Sequence, residues 1–215
     1  MGPQGGVDRI GQLTNARLLQ AVAELCDRDA DLGGVIERFG APPLWARKPG
    51  FATLVRIVLE QQVSLSSAKA TYGRLRTELG SVTAQTVAAI ELADLRALGI
   101  TRQKADYCSN LARLVVTGEL DLREIARGDD PAVRRRLCAI RGVGPWTADI
   151  YLLMALRRPD VWPEGDLALV EAARRVKRMR KRPTAARLRR ITNQWKPWRA
   201  VAARILWHFY LSDRS

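Results

Sequence analysis

Apolar residues in this chain recur at helical spacing almost everywhere and at strand spacing almost nowhere, which leaves few folds open. Phe51, Leu54, Val55, Val58, Leu59 and Gln62 fall at i, i+3, i+4, i+7, i+8 and i+11, one face of a ~3.6-residue period rather than the alternation of a strand. Ala68, Tyr72, Leu75 and Leu79 share a face of the next stretch, and QQVSLSS between them breaks the pattern. Two helices joined by a turn are predicted there. Helix starts recur further on. Thr83 and Thr101 precede helical runs, Asp121 and Glu124 have the spacing of a capping box, and Asp130-Pro131 reads as an N-cap followed by proline at the first helical position. Thr184 caps the run that follows it, and Lys196-Pro197 opens the last helix. About ten helices and no strand are predicted, so the fold class is all-α.

The expected organisation is two helical lobes with a cleft between them, the usual place for a site. Residues from about 50 to about 130 form one lobe. The N-terminal helices plus residues from about 131 to 215 form the other, with a hairpin at 140–146, and residues 1–10 form a disordered tail.

Lys and Arg number 36 against 22 Asp and Glu, a net charge of +14, and the isoelectric point is near 10.7. A folded chain this basic meets a polyanion, nucleic acid first and an anionic membrane surface second. The membrane option weakens because no apolar run approaches the ~18 residues of a spanning helix, and the N-terminal MGPQGGVDRI lacks the features of a signal peptide. Cys26, Cys108 and Cys138 are odd in number and far apart. They encode neither a disulfide framework nor a zinc site, and an iron–sulfur cluster needs about four thiolates. They read as small apolar residues in a reducing compartment, and the expected location is cytoplasmic, nucleoid-associated in a bacterium.

Residues 140–150 read IRGVGPWTADI. Glycine permits positive φ and clears side chains from an approaching ligand, and Pro145 pre-sets the first turn of a helix running to about Arg158. Such a turn offers backbone N–H groups at the positive end of a helix, an anion site. Val143 would plug the core between the flanking helices, and Thr147 would add a hydroxyl donor. A Gly-x-Gly pair alone is also an ordinary turn. Twenty residues past Trp146 stands WPEGDLALV, where Pro163 and Gly165 make a turn and Asp166 precedes an apolar helical run. Taken alone, Asp166 is an N-cap aspartate.

Together, the hairpin, the Gly/Pro loop and the aspartate resemble the helix-hairpin-helix (HhH-GPD) DNA glycosylase superfamily. The segments LVRIVLEQQVSLSSAKATYGRL, LGITRQKADY, IRGVGPWTADIYLL, DVWPEGDLAL and WKPWRAVAARILWHFY, in order over residues from about 40 to 210, are similar to 3-methyladenine DNA glycosylase II in its compact, all-helical form. The resemblance implies double-stranded DNA carrying alkylated bases as partner, a monomer as sufficient, and no membrane. It implies no required cofactor, no iron–sulfur cluster and no zinc. It also implies a structural Na+ or K+ on the hairpin carbonyls of Cys138, Ile140 and Val143, and phosphate contacts at Gly142, Gly144 and Thr147.

The chemistry implied is hydrolysis of an N-glycosidic bond on a base flipped from the stack. Asp166, ionised at a helix N-terminus, would stabilise the oxocarbenium-like state and help activate water. Alkylated purines such as 3-methyladenine and 7-methylguanine already carry positive charge, so an electron-rich pocket can select them. The resemblance places Trp146, Ile150, Trp207, His208 and Ala168 around that base, and Gln62 with Val63 as the wedge that fills the gap. Ile150 replaces a tyrosine of larger relatives, His208 an aromatic residue, Ala168 a larger apolar residue and Gln62 a leucine. Trp195 and Trp198 are expected in the core. Asp149 is expected to serve structure, and Arg102 and Lys104 to meet the DNA backbone. RRVKRMRKR, residues 174–182, is either a DNA contact or a solvated face.

Relatives that also cleave the strand carry a Schiff-base lysine where this chain has Trp146, which implies a monofunctional enzyme leaving an abasic site. Two alternatives stay open: a glycosylase for hypoxanthine or etheno-adenine, and a damaged-DNA-binding protein without chemistry. A basic RNA-binding protein would account for the charge but not for the spacing from hairpin to aspartate.

Overall fold

The computed structural model describes residues 11–213, which contain thirteen α-helices and no strand. The expected tail at residues 1–10 lies outside the described residues. The helices are α1 (Asn15–Arg28), α2 (Ala30–Phe39), α3 (Phe51–Glu60), α4 (Leu65–Leu79), α5 (Ala84–Ala89), α6 (Leu92–Ala97), α7 (Arg102–Val116), α8 (Leu122–Ala126), α9 (Asp130–Cys138), α10 (Pro145–Ile150), α11 (Leu167–Val176), α12 (Ala185–Asn193) and α13 (Arg199–Ser212). A π-helical turn, Tyr151–Ala155, prolongs α10.

The all-α class is as predicted, and the helix count exceeds the expected ten; α6, for which no start signal was marked, has only six residues. So short a helix shows no repeat of its period. Several caps also shift. The N-cap of α9 is Asp129, one residue before the expected Asp130, and its carboxylate accepts Ala132 N–H at 2.8 Å. Asp121 caps α8, but Glu124 does not close a box back onto it: its carboxylate binds Arg136 at 2.9 Å. The reciprocal box forms between Thr83 and Thr86. The hairpin helix ends before Arg158, because Arg157 takes a left-handed φ of 54°. The last helix begins at Arg199, two residues beyond Pro197.

The chain divides into two compact units. The described part of one comprises residues 11–44, Arg157–Trp162 and residues 167–213, with α1, α2 and α11 to α13. There α13 packs on α1, α2 and α11. It is buried on every side from Ala200 to Leu206, and its alanines allow helices to approach closely. Trp195 and Trp198 are buried as expected, and Trp162 packs on Trp195 with ring centroids 5.7 Å apart.

The other unit is Trp45–Leu156 with Pro163–Asp166, holding α3 to α10. Its centre is α3, which buries Leu54, Val55, Ile57, Val58 and Leu59 and packs on α4, α7, α10 and the π-turn. Cys108 lies on the buried face of α7, and desolvation pushes its thiol up to about 12, as for a cysteine used as an apolar side chain. The hairpin thus groups with the residues before 130, whereas the sequence pattern had joined 131–215 to the N-terminal helices. The cause is long-range: α10 and the π-turn pack on α3, and α8 packs on α9 through the Arg136–Glu124 pair. Of the chain beyond residue 156, only the loop Pro163–Asp166 belongs to this unit.

Candidate active site

Helices α9 and α10 and the turn between them form the hairpin. Its two glycines do different work. Gly142 has φ +89°, and a Cβ there would lie 2.2 Å from the Tyr107 ring, so both the conformation and the close packing require glycine. Gly144 has φ −88°, a Cβ on it would meet nothing within 4 Å, and it is the exposed N-cap of α10. With no side chain to cap them, the first N–H groups of α10 get no side-chain bond from that position. Val143 is buried and plugs the turn as expected. Thr147 departs from expectation. It is 1% exposed, and its Oγ1 accepts from Gln61 Nε2 at 2.8 Å. In this structure the hydroxyl is turned into the protein, against the Gln61 amide.

The loop Pro163–Asp166 turns through Gly165 at φ +81°, and Asp166 N–H reaches Pro163 O at 3.4 Å. The Trp146 indole Nε1 then donates to Asp166 Oδ2 at 2.9 Å. Two residues twenty positions apart, each expected in the site, are thus in direct contact, and both are half-buried. The bond fixes the carboxylate and the plane of the indole at once. The sequence marked both residues but not the contact, since spacing does not reveal which way an indole points.

Asp149, one turn further along α10, is fully buried. Arg134 of α9 grips its Oδ1 through Nε at 2.7 Å and also through Nη2, while Oδ2 has no hydrogen-bond partner. Burial pushes the Asp149 carboxyl up to about 6 despite the opposing pull of Arg134. That is a structural carboxylate, as expected. Ile150 is buried at 2% exposure. Trp207 and His208 stand half-buried on α13, and Ala168 on α11, all in the other unit. The His208 ring lies 2.9 Å from Phe39 O through Nε2.

The profile of the HhH-GPD superfamily of base excision DNA repair proteins matches residues 55–197. This chain belongs to the HhH-GPD superfamily. A solved structure of Schizosaccharomyces pombe 3-methyladenine DNA glycosylase (Mag1) in complex with abasic DNA superposes with a TM-score of 0.83 at 26% identity, over 91% of this chain and 99% of that one. The DNA-3-methyladenine glycosidase of Bacillus halodurans superposes at 0.73 with 26% identity, over 94% and 93%. A Bacillus subtilis DNA-3-methyladenine glycosylase is 31% identical over 123 residues, 57% of this chain and 41% of its own length. Bacillus subtilis YfjP is 27% identical over 184 residues, 82% of this chain and 64% of its own. The chain therefore spans less than two thirds of the length of these two Bacillus subtilis relatives.

Within this HhH-GPD chain the expected wedge, Gln62 and Val63, lies on the turn between α3 and α4. Gln62 is exposed with φ +55°, and Val63 is 44% exposed. Lys104, expected at the DNA backbone, is spent on the protein: its Nζ donates to Leu59 O at 2.8 Å and Gln61 O at 2.7 Å. Arg102 is exposed. The basic run 174–182 is divided. Lys177 pairs with Asp29 and Asp31, Arg174 with Glu171 and Arg175 with Asp213, while Arg178, Arg180 and Lys181 are exposed. It is only in part a solvated face.

Among the described residues no cluster of three or more His, Cys, Asp or Glu could hold a metal ion. The carbonyls assigned to a monovalent cation sit at the end of α9 (Cys138) and in the turn (Ile140, Val143). That of Ile140 accepts Val143 N–H at 3.0 Å and keeps its second lone pair, so the donor type fits a hard monovalent ion. No described helix is long and apolar enough to cross a membrane.

Proposed function

We propose that this chain is a monofunctional DNA glycosylase that hydrolyses the N-glycosidic bond of alkylated purines in duplex DNA and leaves an abasic site. The observation carrying this is the Trp146–Asp166 bond, which joins the helix of a phosphate-binding hairpin to a half-exposed carboxylate. Binding alone needs no acid in that loop. The open face of Gly144 and the uncapped start of α10 suit a backbone phosphate, which anchors without reading sequence. The net charge of +14 supplies affinity that falls steeply with salt.

In the reaction the bond from C1′ to the base nitrogen breaks, and its electron pair leaves with the base, cancelling the charge the alkyl group imposed. Asp166 faces the positive charge that develops on the sugar. Water then bonds to C1′ and its proton passes to the carboxylate. An indole already oriented by Asp166 offers its face to a cationic base. A lysine nucleophile for strand cleavage would stand at position 146, which is tryptophan here.

The test is release of free 3-methyladenine or 7-methylguanine from methylated DNA in single turnover, with Asp166→Asn as comparison. Release by wild type alone supports the proposal. Binding of methylated or abasic duplex without release of either base overturns it. A complex trapped by borohydride overturns the monofunctional assignment.

A further inference from the structure

Beside the hairpin lies a polar junction centred on Gln61, a residue given no role above. Gln61, the last residue before the exposed turn, sends both amide hydrogens across to the hairpin: Nε2 lies 2.9 Å from Gly142 O and 2.8 Å from Thr147 Oγ1. Lys104 clamps the same turn from the other side through Leu59 O and Gln61 O. Its helix, α7, carries Tyr107 three residues on, and the ring of Tyr107 fills the space that any side chain on Gly142 would need. Helix α7 therefore touches the turn with one side chain and the hairpin with the next one along that face, and Gln61 closes the triangle.

Two features argue for more than the capping of α3. A lysine that caps a helix end usually keeps its ammonium in water, whereas burial here lowers the affinity of Lys104 for its proton. The residue next to Gln61 is held at φ +55°, a conformation that L side chains other than Asn and Asp adopt only where the surroundings impose it. The junction spends desolvation and backbone strain to fix one turn against one hairpin.

We propose that Gln61 and Lys104 are positioning residues that hold the α3–α4 turn in register with the hairpin, so that the backbone gripped at the hairpin and the stack entered from the turn belong to the same nucleotide. The inference rests on the glycosylase proposal for its biological meaning. It requires that weakening the junction impair base displacement more than DNA binding or bond cleavage.

The test uses the full chain with Gln61→Met, which keeps length and removes both donors without adding charge near DNA. Single-turnover release of 7-methylguanine is compared between a duplex with the lesion normally paired and one with the lesion opposite an abasic-site analogue, where stacking is already lost. The expected loss is about tenfold or more on the paired duplex and under about threefold on the opened one, since ångström-scale misplacement costs rate only where alignment is still to be achieved. Lys104→Met should show the same bias and Lys104→Arg should restore part of it, which also covers the case where Gln61→Met does not fold. Equal losses on both duplexes, or none on either, would overturn the inference. A second readout needs no catalysis: 2-aminopurine beside an abasic-site analogue should brighten on saturation with wild type and stay dim with Gln61→Met. If wild type releases no base from any duplex, the glycosylase proposal fails alone, and the fluorescence contrast still decides the junction.

Discussion

Each unit of the molecule contains an indole donating to an aspartate, and the two pairs have different fates. In the unit of α1 and α13, Trp195 Nε1 meets Asp29 Oδ2 at 2.7 Å, while Asp29 Oδ1 takes Lys177 Nζ at 2.6 Å and the N–H groups of Asp31 and Leu32 that begin α2. That carboxylate is buried, and both its oxygens are committed to the fold. In the unit of the hairpin, Trp146 holds Asp166 through a similar bond, but the aspartate ends a short Gly/Pro loop and stays half-exposed. The donor and acceptor are the same kind in both pairs. What separates the two geometries is solvent access: the Asp29 carboxylate is buried, the Asp166 carboxylate is half-exposed.

The sharpest way to break this comparison is to neutralise each aspartate. Asp166→Asn should lower single-turnover base release by about 10²–10³-fold, the range for losing one transition-state charge contact, with stability in urea close to wild type. Asp29→Asn should do the reverse. Base release survives, and unfolding in urea shows a loss of about 2 kcal/mol, below the ~3–5 kcal/mol for breaking a fully buried pair because Lys177 keeps some solvent. If Asp29→Asn abolishes release in a folded protein, or Asp166→Asn leaves release intact, the two pairs do not divide as described.

How far the sequence reaches follows the same division. The Gly142–Gly144 turn and the caps at Thr101 and Thr184 were legible because each is written within a few residues. The burial of the Thr147 hydroxyl was not legible because its partner, Gln61, lies 86 positions away. Lys104 was misread for the same reason: a surface-type side chain was captured by carbonyls 43 and 45 positions earlier. The hairpin joined the other lobe because helix periodicity marks which face is apolar and not which helix will cover it.

Asp149 sharpens the contrast from the same helix that carries Trp146. Its carboxyl is raised to about 6 from 3.8, so between those values the folded protein binds a proton that the unfolded chain does not. Stability linked to this group therefore rises as pH falls through that window, and the cost of burying the charge is complete above about pH 6. The gap corresponds to a cost of at most ~3 kcal/mol. Asp149→Asn should flatten the pH dependence of the urea midpoint between about 4 and 6 and leave the protein at pH 7 no less stable than wild type, because Arg134 is 40% exposed and can be solvated alone. A steeper dependence in the variant would contradict this.

Removing the indole N–H while keeping an aromatic ring gives a smaller, more specific contrast. Trp146→Phe removes the indole donor from Asp166, and base release should fall about tenfold, since loosened alignment costs less than lost charge. Trp195→Phe should leave release unchanged and cost about 1.5–3 kcal/mol in urea, the range for a hydrogen bond to a charged group. Equal effects of both variants on release would mean that the indole contributes bulk and not orientation.

The smallest effect lies in the acid limb of the stability curve. Burial alone would raise the Asp29 carboxyl, but hydrogen bonds from Lys177 and Trp195 outweigh it and hold the group below the ordinary aspartate value of 3.8. A depressed folded pKa gives stability that is full above the unfolded value and lost as pH falls through the folded one. Asp29 therefore tilts the curve in the opposite sense to Asp149, and at lower pH. Asp29→Asn should flatten only the part below about pH 4 and leave the window from 4 to 6 to Asp149. Urea midpoints at closely spaced pH values would separate the two groups. A change from Asp29→Asn confined to the upper window would mean that the Lys177–Trp195 cradle does not hold the carboxylate ionised.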